Sequence, residues 1–563
     1  MSAGPTRRAV LAAAPLAWAA GCERGAQPPD PAAWQGGWVG ASYARGHLLR
    51  QASPPDAADT PGPVRRCAVA VLGAGVAGLA AARALVRAGV DDVRVFELED
   101  EAGGNARGHT LGGLPCPLGA HYLPVPPAQA QAVSQWLHEI GLLRSQAGRT
   151  VALERHLCHA PQERLWTGRE WVEGLLPPAP AGSDTLRQYR LFARRVAEVS
   201  GQARFAIPAS AAAWSAALQA LDERTFAQWL HDQGLDDPAL RWYLDYACRD
   251  DYGAGLDAVS AWAGLHYFAS RHGFAAHADD DGALASEGVF TWPEGNAWLT
   301  RRLASDLGAR LDAACWVRRV QEGRHEVVVD VQHAGPRGRE RWVAREAVVA
   351  LPLHVARRVV VQAPAALPAL SAAAAAVDHA PWLVANLLLR EPLLDRPGVS
   401  AAWDSVFYEP DLAASGAGRY ALGYVDARHQ GLRPRDAPTV LTAYWAFGQR
   451  DRAQTATIRR QLLDEPWQAW AQRVVAHLAR VHPDLPQLLD RVDLMRYGHA
   501  MAVPGPGVRS HPALRALREG VAGRLHAAHA DLAGYSVFEE AFTLGDAAGR
   551  RAAARLGRPV PPA

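Results

Sequence analysis

Apolar and polar positions divide this chain into two kinds of stretch. In the first kind, short unbroken apolar runs alternate with alanine-rich helical segments. Residues 68–72 form one such run, of the length and composition of a strand buried on both faces, and 93–98 form another. The stretch between them, 76–88, reads as a helix that Gly89 ends. The pattern returns at 347–353, after an alternating strand at 326–331, and again from 525, where a strand leads into a helix running to 556. In the second kind, helical spacing dominates, at 184–199, 210–219, 225–233 and 238–248. An amphipathic helix at 129–143 precedes these. Strand candidates at 382–389, 420–425 and 440–446, with one long helix at 458–481, follow them. Strand–helix–strand order in the first kind predicts an α/β fold around a parallel sheet.

Candidate chemistry is concentrated where the first strand meets its helix. Gly73-Ala74-Gly75-Val76-Ala77-Gly78 spells G-x-G-x-x-G. The first glycine makes the tight turn and the second lets a pyrophosphate approach the backbone. The third lets helix and strand pack closely, and the helix N-terminus aims its free N–H groups at the phosphates. Glu97, followed by Leu98, ends the second strand nineteen positions after Gly78, where a carboxylate can accept from ribose hydroxyls. Strand, glycine turn, helix, second strand and acid together predict a dinucleotide site.

Just downstream, Gly103-Gly104-Asn105-Ala106-Arg107 resembles the segment that closes over FAD in the flavin-containing amine oxidase and phytoene-desaturase superfamily. Asn105 stands where arginine is usual there, and Arg107 comes two residues later. The resemblance implies FAD, held in a glutathione-reductase-type Rossmann-like domain assembled from separate segments, with an inserted α+β substrate domain. It divides the chain into the FAD-binding parts 66–143, 287–359 and 496–563, and the substrate parts 144–286 and 360–495. By the same resemblance Gly119 and Ala120 lie against the isoalloxazine ring, with His121 and Tyr122 facing the substrate. The backbone of Val317 meets the adenine, and Asp531 stands near the pyrophosphate and ribityl chain. The N–H groups of Ser536, Val537 and Phe538 face the flavin pyrimidine. Ser536 and Glu539 have the spacing of a capping box, an alternative role for both. Tyr497 and His499, in an aromatic segment that approaches the flavin, join His121 as candidate catalytic groups.

Composition changes this picture in two places. All 59 basic residues are arginine, so the lysine that many amine oxidases place near flavin N5 has no counterpart. Asp250 and Asp251, beside the aromatic run Trp262, His266, Tyr267 and Phe268, can seat a cationic amine or simply cap the next segment. A net charge of +2 gives no reason to expect nucleic acid, and no ligand spacing points to a metal.

The N-terminus reads as an address. Arg7-Arg8 and an apolar stretch to Ala20 look like a twin-arginine signal, and Ala19-Ala20-Gly21-Cys22 resembles a lipoprotein cleavage box. Residues 1–22 are therefore expected to direct export to the periplasm, with a lipid anchor on Cys22, and 23–65 to form a linker. Trp34, Trp38 and Tyr43 hint that part of that linker packs on the body. The other five cysteines are scattered and read as free thiols.

These readings converge on an exported FAD-dependent oxidoreductase that takes hydride from an amine, a polyamine among the options, and passes electrons to oxygen or another acceptor. A desaturase- or isomerase-like flavoprotein acting on an apolar substrate is the alternative, and a flavin-binding envelope protein without turnover is a third.

Overall fold

The computed structural model describes residues 34–51, 62–276, 288–361, 367–408, 417–431, 434, 437–520 and 522–559. The Cys22 signal and the linker residues 23–33 and 52–61 lie outside them. Two large sheets organise the chain. In the first, strand Val64–Leu72 pairs in parallel with Val93–Phe96 on one side and Arg339–Val349 on the other. Strands Val327–His333 and Cys315–Glu322 continue it antiparallel, and Leu525–Ala527 adds in parallel to Arg339–Val349. The residues from Val69 to Leu72 are solvent-inaccessible, as their unbroken apolar run requires of a strand covered on both faces.

Helix Val76–Arg87 covers one face, and the C-terminal helix Phe538–Arg555 packs directly on it. That approach depends on two glycines. A Cβ at Gly545 would fall 2.0 Å from the Ala77 carbonyl oxygen, and one at Gly549 2.5 Å from that of Ala81. Chain ends more than 450 residues apart thus close one layer.

The second sheet has eight strands, in the order Gln35–Trp38, Leu489–Val503, Asp378–Leu389, Thr439–Ala446, Ala421–Asp426, Asp404–Phe407, Glu163–Trp166 and Trp171–Glu173. Helices Asp184–Gln202, Pro238–Tyr252 and Ala261–Tyr267 are built from the helical stretch, and Leu240, Leu244, Trp262 and Leu265 are buried in its core. Expectation and structure differ at several points. The long helix at 458–481 is two, Arg452–Asp464 and Trp467–Ala479, because Pro466 between them cannot donate to a continuous helix. The segment after 144 supplies the last two strands of this sheet, Glu163–Trp166 and Trp171–Glu173, before any α-helix begins. Part of the supposed linker is structural. Gln35–Trp38 forms the edge strand beside Leu489–Val503, and Tyr43–Gln51 is a helix. The apolar cost of leaving Trp34 and Trp38 in water drives this docking, and Arg496 sits 4.3 Å from the ring centres of both Trp38 and Tyr43.

Candidate active site

A cavity of about 680 Å³ runs between the two sheets. Its wall at one end is the glycine turn. Gly73 has a φ of +96°, and a Cβ there would lie 2.6 Å from the Ala350 carbonyl oxygen; one at Gly78 would lie 1.8 Å from the Gly73 oxygen. Those two glycines serve the protein's own packing. Gly75 does not, because a Cβ there would meet nothing closer than the Gly104 Cα at 3.9 Å. It also caps helix Val76–Arg87 without any side-chain bond to the first N–H groups. Space and free donors together fit a phosphate-bearing ligand at this point.

The acid at the end of the second strand is built in. Glu97 accepts from the backbone N–H of Ala74 at 2.8 Å and of Glu99 at 2.9 Å. Burial pushes its carboxyl above the usual range, against those two bonds and the pull of Arg107. Arg107, on the cavity wall, is also engaged by the protein's own carbonyls. Its side chain is buried and donates to the carbonyls of Gly104 (3.1 Å) and Gly40 (2.8 Å), clamping the N-terminal segment. Ser42 N–H adds a bond to Glu99 Oε2, and Arg45 donates to the Leu98 carbonyl. Tyr43, His47 and Arg50 therefore line the cavity, which no spacing rule announced beyond the aromatic residues in that stretch.

The remaining sequence-derived positions fall along the same cavity. Gly73, Gly75, Val76, Ala77, Glu97, Leu98, Gly104, Asn105, Arg107, Gly119, Ala120, Val317, Asp531, Ser536, Val537 and Phe538 all line it. Ala74 and Gly78 stand behind the turn. Asp531 is fully buried, and burial alone would raise its carboxyl. His529 and His379 outweigh that and hold it well below the usual range. The capping alternative for Ser536 and Glu539 does not form. Helix Phe538–Arg555 starts two residues later, with no side-chain cap. Ser536 Oγ accepts from Ala502 N–H instead, and Glu539 pairs with Arg271 at 2.5 Å.

The three candidate catalytic side chains separate. His121 stacks on Tyr444 with ring centroids 4.4 Å apart and lies 5.4 Å from Trp403; burial pushes its imidazole down to about 3, so it is neutral. Tyr497 donates to the Leu118 carbonyl at 2.8 Å, and a Cβ at Gly119 would meet its oxygen at 3.1 Å. Both thus border the Gly119–Ala120 turn. His499 is elsewhere, stacked on His354 at 4.3 Å.

The far end of the cavity is acidic and aromatic. Asp250 and Asp251 occupy the last turn of helix Pro238–Tyr252 and line the wall rather than capping. Tyr122 donates to Asp250 Oδ2 at 3.4 Å, and Tyr246 donates to Asp404 Oδ2 at 3.5 Å. Burial, then Asp251 and Glu163, push Asp250 up to about 7. Burial pushes Asp251 up to about 6 against the opposing charge of Arg271, and burial with Glu163 and Asp250 lifts Asp404 well above the usual range. Tyr243 and Tyr267 feel the same carboxyls. Arg271, in a π-helical turn over Phe268–His272, is 3.9 Å from Asp251 and is committed to Glu539. The sequence pattern pointed to Asp250 and Asp251 but not to Arg271, in a turn twenty residues on, nor to Glu163 and Asp404, which come from two strands distant in the chain.

A Rossmann-type sheet that offers a glycine turn, ribose acid and uncapped helix end to one long cavity defines a dinucleotide-dependent oxidoreductase. Residues 76–556 match the flavin-containing amine oxidoreductase family, and the chain belongs to that family. It is an FAD-dependent oxidoreductase. Among solved structures it is similar to putrescine oxidase bound to putrescine, at 18% identity, a TM-score of 0.61, and coverage of 88% of this chain and 99% of that one. It is also similar to cyclohexylamine oxidase from Brevibacterium oxydans IH-35A (17% identity, TM-score 0.60, 87% and 99% covered). A third is the fatty acid isomerase of P. acnes that produces CLA (15%, 0.57, 85% and 97% covered). Tryptophan 2-monooxygenase of Allorhizobium ampelinum is 39% identical over 83 residues, a match spanning 14% of this chain and 12% of that protein.

Proposed function

We propose that this protein oxidises a cationic amine, with a diamine or polyamine the best fit to its cavity. The observation that carries the reading is the cavity wall of Asp250, Asp251 and Tyr122, with the carboxyls of Glu163 and Asp404 and the rings of Tyr243, Tyr246 and Tyr267 close by. Burial raises the carboxyls of Asp250, Glu163 and Asp404 above the usual range, Asp250 to about 7, so an entering ammonium group gains by favouring their ionised forms and by lying against tyrosine faces. FAD, when bound, supplies the hydride acceptor. Residues from Gly73 to Gly78, with Glu97, Asn105, Asp531 and the N–H groups of Val537 and Phe538, would hold it. Arg107 supports that site by tying down the N-terminal segment.

The chain's own groups then bind, dry and orient the substrate. Asp250 Oδ2 is placed to take the proton that an amine must lose before a hydride can leave its carbon. Neutral His121, stacked on Tyr444, walls the reacting carbon off from water. Oxygen or another acceptor takes the electrons afterwards, without a lysine to assist. Export through the twin-arginine route, with Cys22 as a lipid anchor in the periplasm, is part of the same proposal and rests on the N-terminal sequence.

The test is anaerobic titration of the flavin-loaded protein with putrescine, spermidine and simple monoamines. Loss of flavin absorbance with the diamine or polyamine, and recovery in air, is the expected result. An unchanged spectrum with every amine refutes the reading. It would favour the alternative of an apolar substrate undergoing desaturation or isomerisation, which the structural likeness to a fatty acid isomerase and the absence of lysine support.

A further inference from the structure

The cavity wall away from the acidic chamber carries a second cluster of titratable groups. Three imidazoles converge there from three elements: His354 on helix Leu353–Val359, His379 on strand Asp378–Leu389 and His499 on strand Leu489–Val503. His354 stacks on His499 with centroids 4.3 Å and planes 22° apart, and meets His379 edge-on at 4.9 Å. His379 Nε2 lies 2.9 Å from Asp531 Oδ2, which also accepts from Leu353 N–H at 2.9 Å. Arg459 donates to the carbonyls of Gly498 and His379, and Arg50, Arg357 and Arg358 line the same wall.

Charge makes this arrangement unusual. The charged or titratable groups bearing on His354 are His379, Asp531, His529 and Arg459. Those bearing on His499 are His354, His379, Arg459 and Arg50. Asp531 is the single carboxylate among them, and His379 and His529 both engage it. Burial, reinforced by the neighbouring cations, pushes His354 down to about 3 and His499 to about 2, so the stacked pair is neutral without a ligand. Yet the pair lines the same cavity as the glycine turn. Asn105, which follows Gly104 in that turn's partner loop, donates from Nδ2 to the carbonyl of Ala500, next to His499, at 2.6 Å. A diphosphate held at Gly75 and Gly104 would share that cavity with these imidazoles.

We propose that His354 and His499 are the proton-loaded counter-charge of the FAD diphosphate. As the two negative charges of the cofactor enter, one imidazole of the stacked pair takes up a proton from solvent, and cofactor binding is thereby linked to protonation. A group whose affinity for protons rises on binding draws a proton in, and the linked affinity weakens as pH climbs through the bound-state pKa. This inference concerns cofactor binding and stands whether or not the substrate is an amine.

Calorimetric titration of the full-length apoprotein with FAD, in two buffers of different ionisation enthalpy between pH 5.5 and 8.5, counts the protons. The expected result is uptake approaching about one proton per FAD at the acid end, where Kd rises by roughly tenfold per pH unit, with both the uptake and the slope fading toward the alkaline end. His354→Gln with His499→Gln should abolish the uptake and flatten that pH dependence. Riboflavin, which lacks the diphosphate, provides a control on the unaltered protein and should bind without uptake. Binding of FAD with no net uptake overturns the proposal. So does uptake that survives the double substitution, or equal uptake with riboflavin.

Discussion

Replacing Gly75 by alanine separates the cofactor's needs from those of the fold. The new Cβ would have no protein atom within 3.9 Å, and the residue's φ of −69° and ψ of 179° suit any amino acid. The apoprotein therefore loses only the small preference of a helix N-cap for glycine over alanine, about 0.5 kcal/mol. At roughly 2–4 °C per kcal/mol for a unit of 150–250 residues, its Tm should fall by about 1–2 °C. FAD meets a different surface. A methyl group standing where the diphosphate must approach the backbone is an overpacking defect of about 1–3 kcal/mol, or roughly fivefold to 150-fold in Kd. Gly78→Ala is the contrast, because its Cβ would fall 1.8 Å from the Gly73 oxygen and the turn itself must open. That variant should lose stability even without FAD. The assay pairs flavin-fluorescence titration with thermal unfolding of the apoproteins. A Gly75→Ala protein that binds FAD as tightly as the parent would refute this placement of the phosphates. One whose apo form unfolds many degrees lower would refute the claim that the space belongs to the ligand.

Three further outcomes follow from particular contacts. Asp250 is raised to about 7, so it is protonated below that pH and ionised above it; a limb of amine kcat/KM rising with pH through about 7 should vanish in Asp250→Asn. Its kcat/KM should fall by roughly tenfold to 150-fold, the equivalent of about 1.5–3 kcal/mol for a hydrogen bond to a charged group, read by steady-state kinetics. Arg271→Met leaves Glu539, 1% exposed, without its partner, and should cost about 3–5 kcal/mol in denaturant unfolding. Arg271→Met with Glu539→Gln should recover most of that loss. Arg107→Met strips the exposed Gly40 and half-buried Gly104 carbonyls of their donor, at about 0.5–1.5 kcal/mol for each hydrogen bond lost. Faster proteolysis within residues 34–51 and faster FAD dissociation are the expected readouts.

Much of the cofactor end was legible before any coordinates. The apolar run at 68–72, the three glycines and Glu97 lie within thirty residues of one another, and each acts through backbone geometry that its own residue type dictates. Gly75 and Gly78 could be assigned to turn and helix from spacing alone, because a strand followed at once by a helix leaves few ways to make the corner. The Tyr43–Gln51 helix escaped, since its order comes from docking: Arg107, Arg45 and Arg496 hold a segment whose own composition reads as a linker. The capping box at Ser536 and Glu539 failed for the same reason. Local spacing allowed it, but Ala502 N–H and Arg271 offered partners from distant elements.

The sequence by itself determined the glycine turn, the acid at the end of the second strand, the family, and hence FAD. The tertiary structure alone decided that Asp250 shares a chamber with Glu163 and Asp404, and that His499 meets His354 and His379 rather than bordering the turn with His121. Strand and helix formation answer to patterns a few residues long. The charge state of a buried carboxyl or imidazole depends on burial and on the charges beside it, and those neighbours come from separate elements: Glu163 lies 87 positions from Asp250, and His354 lies 145 from His499.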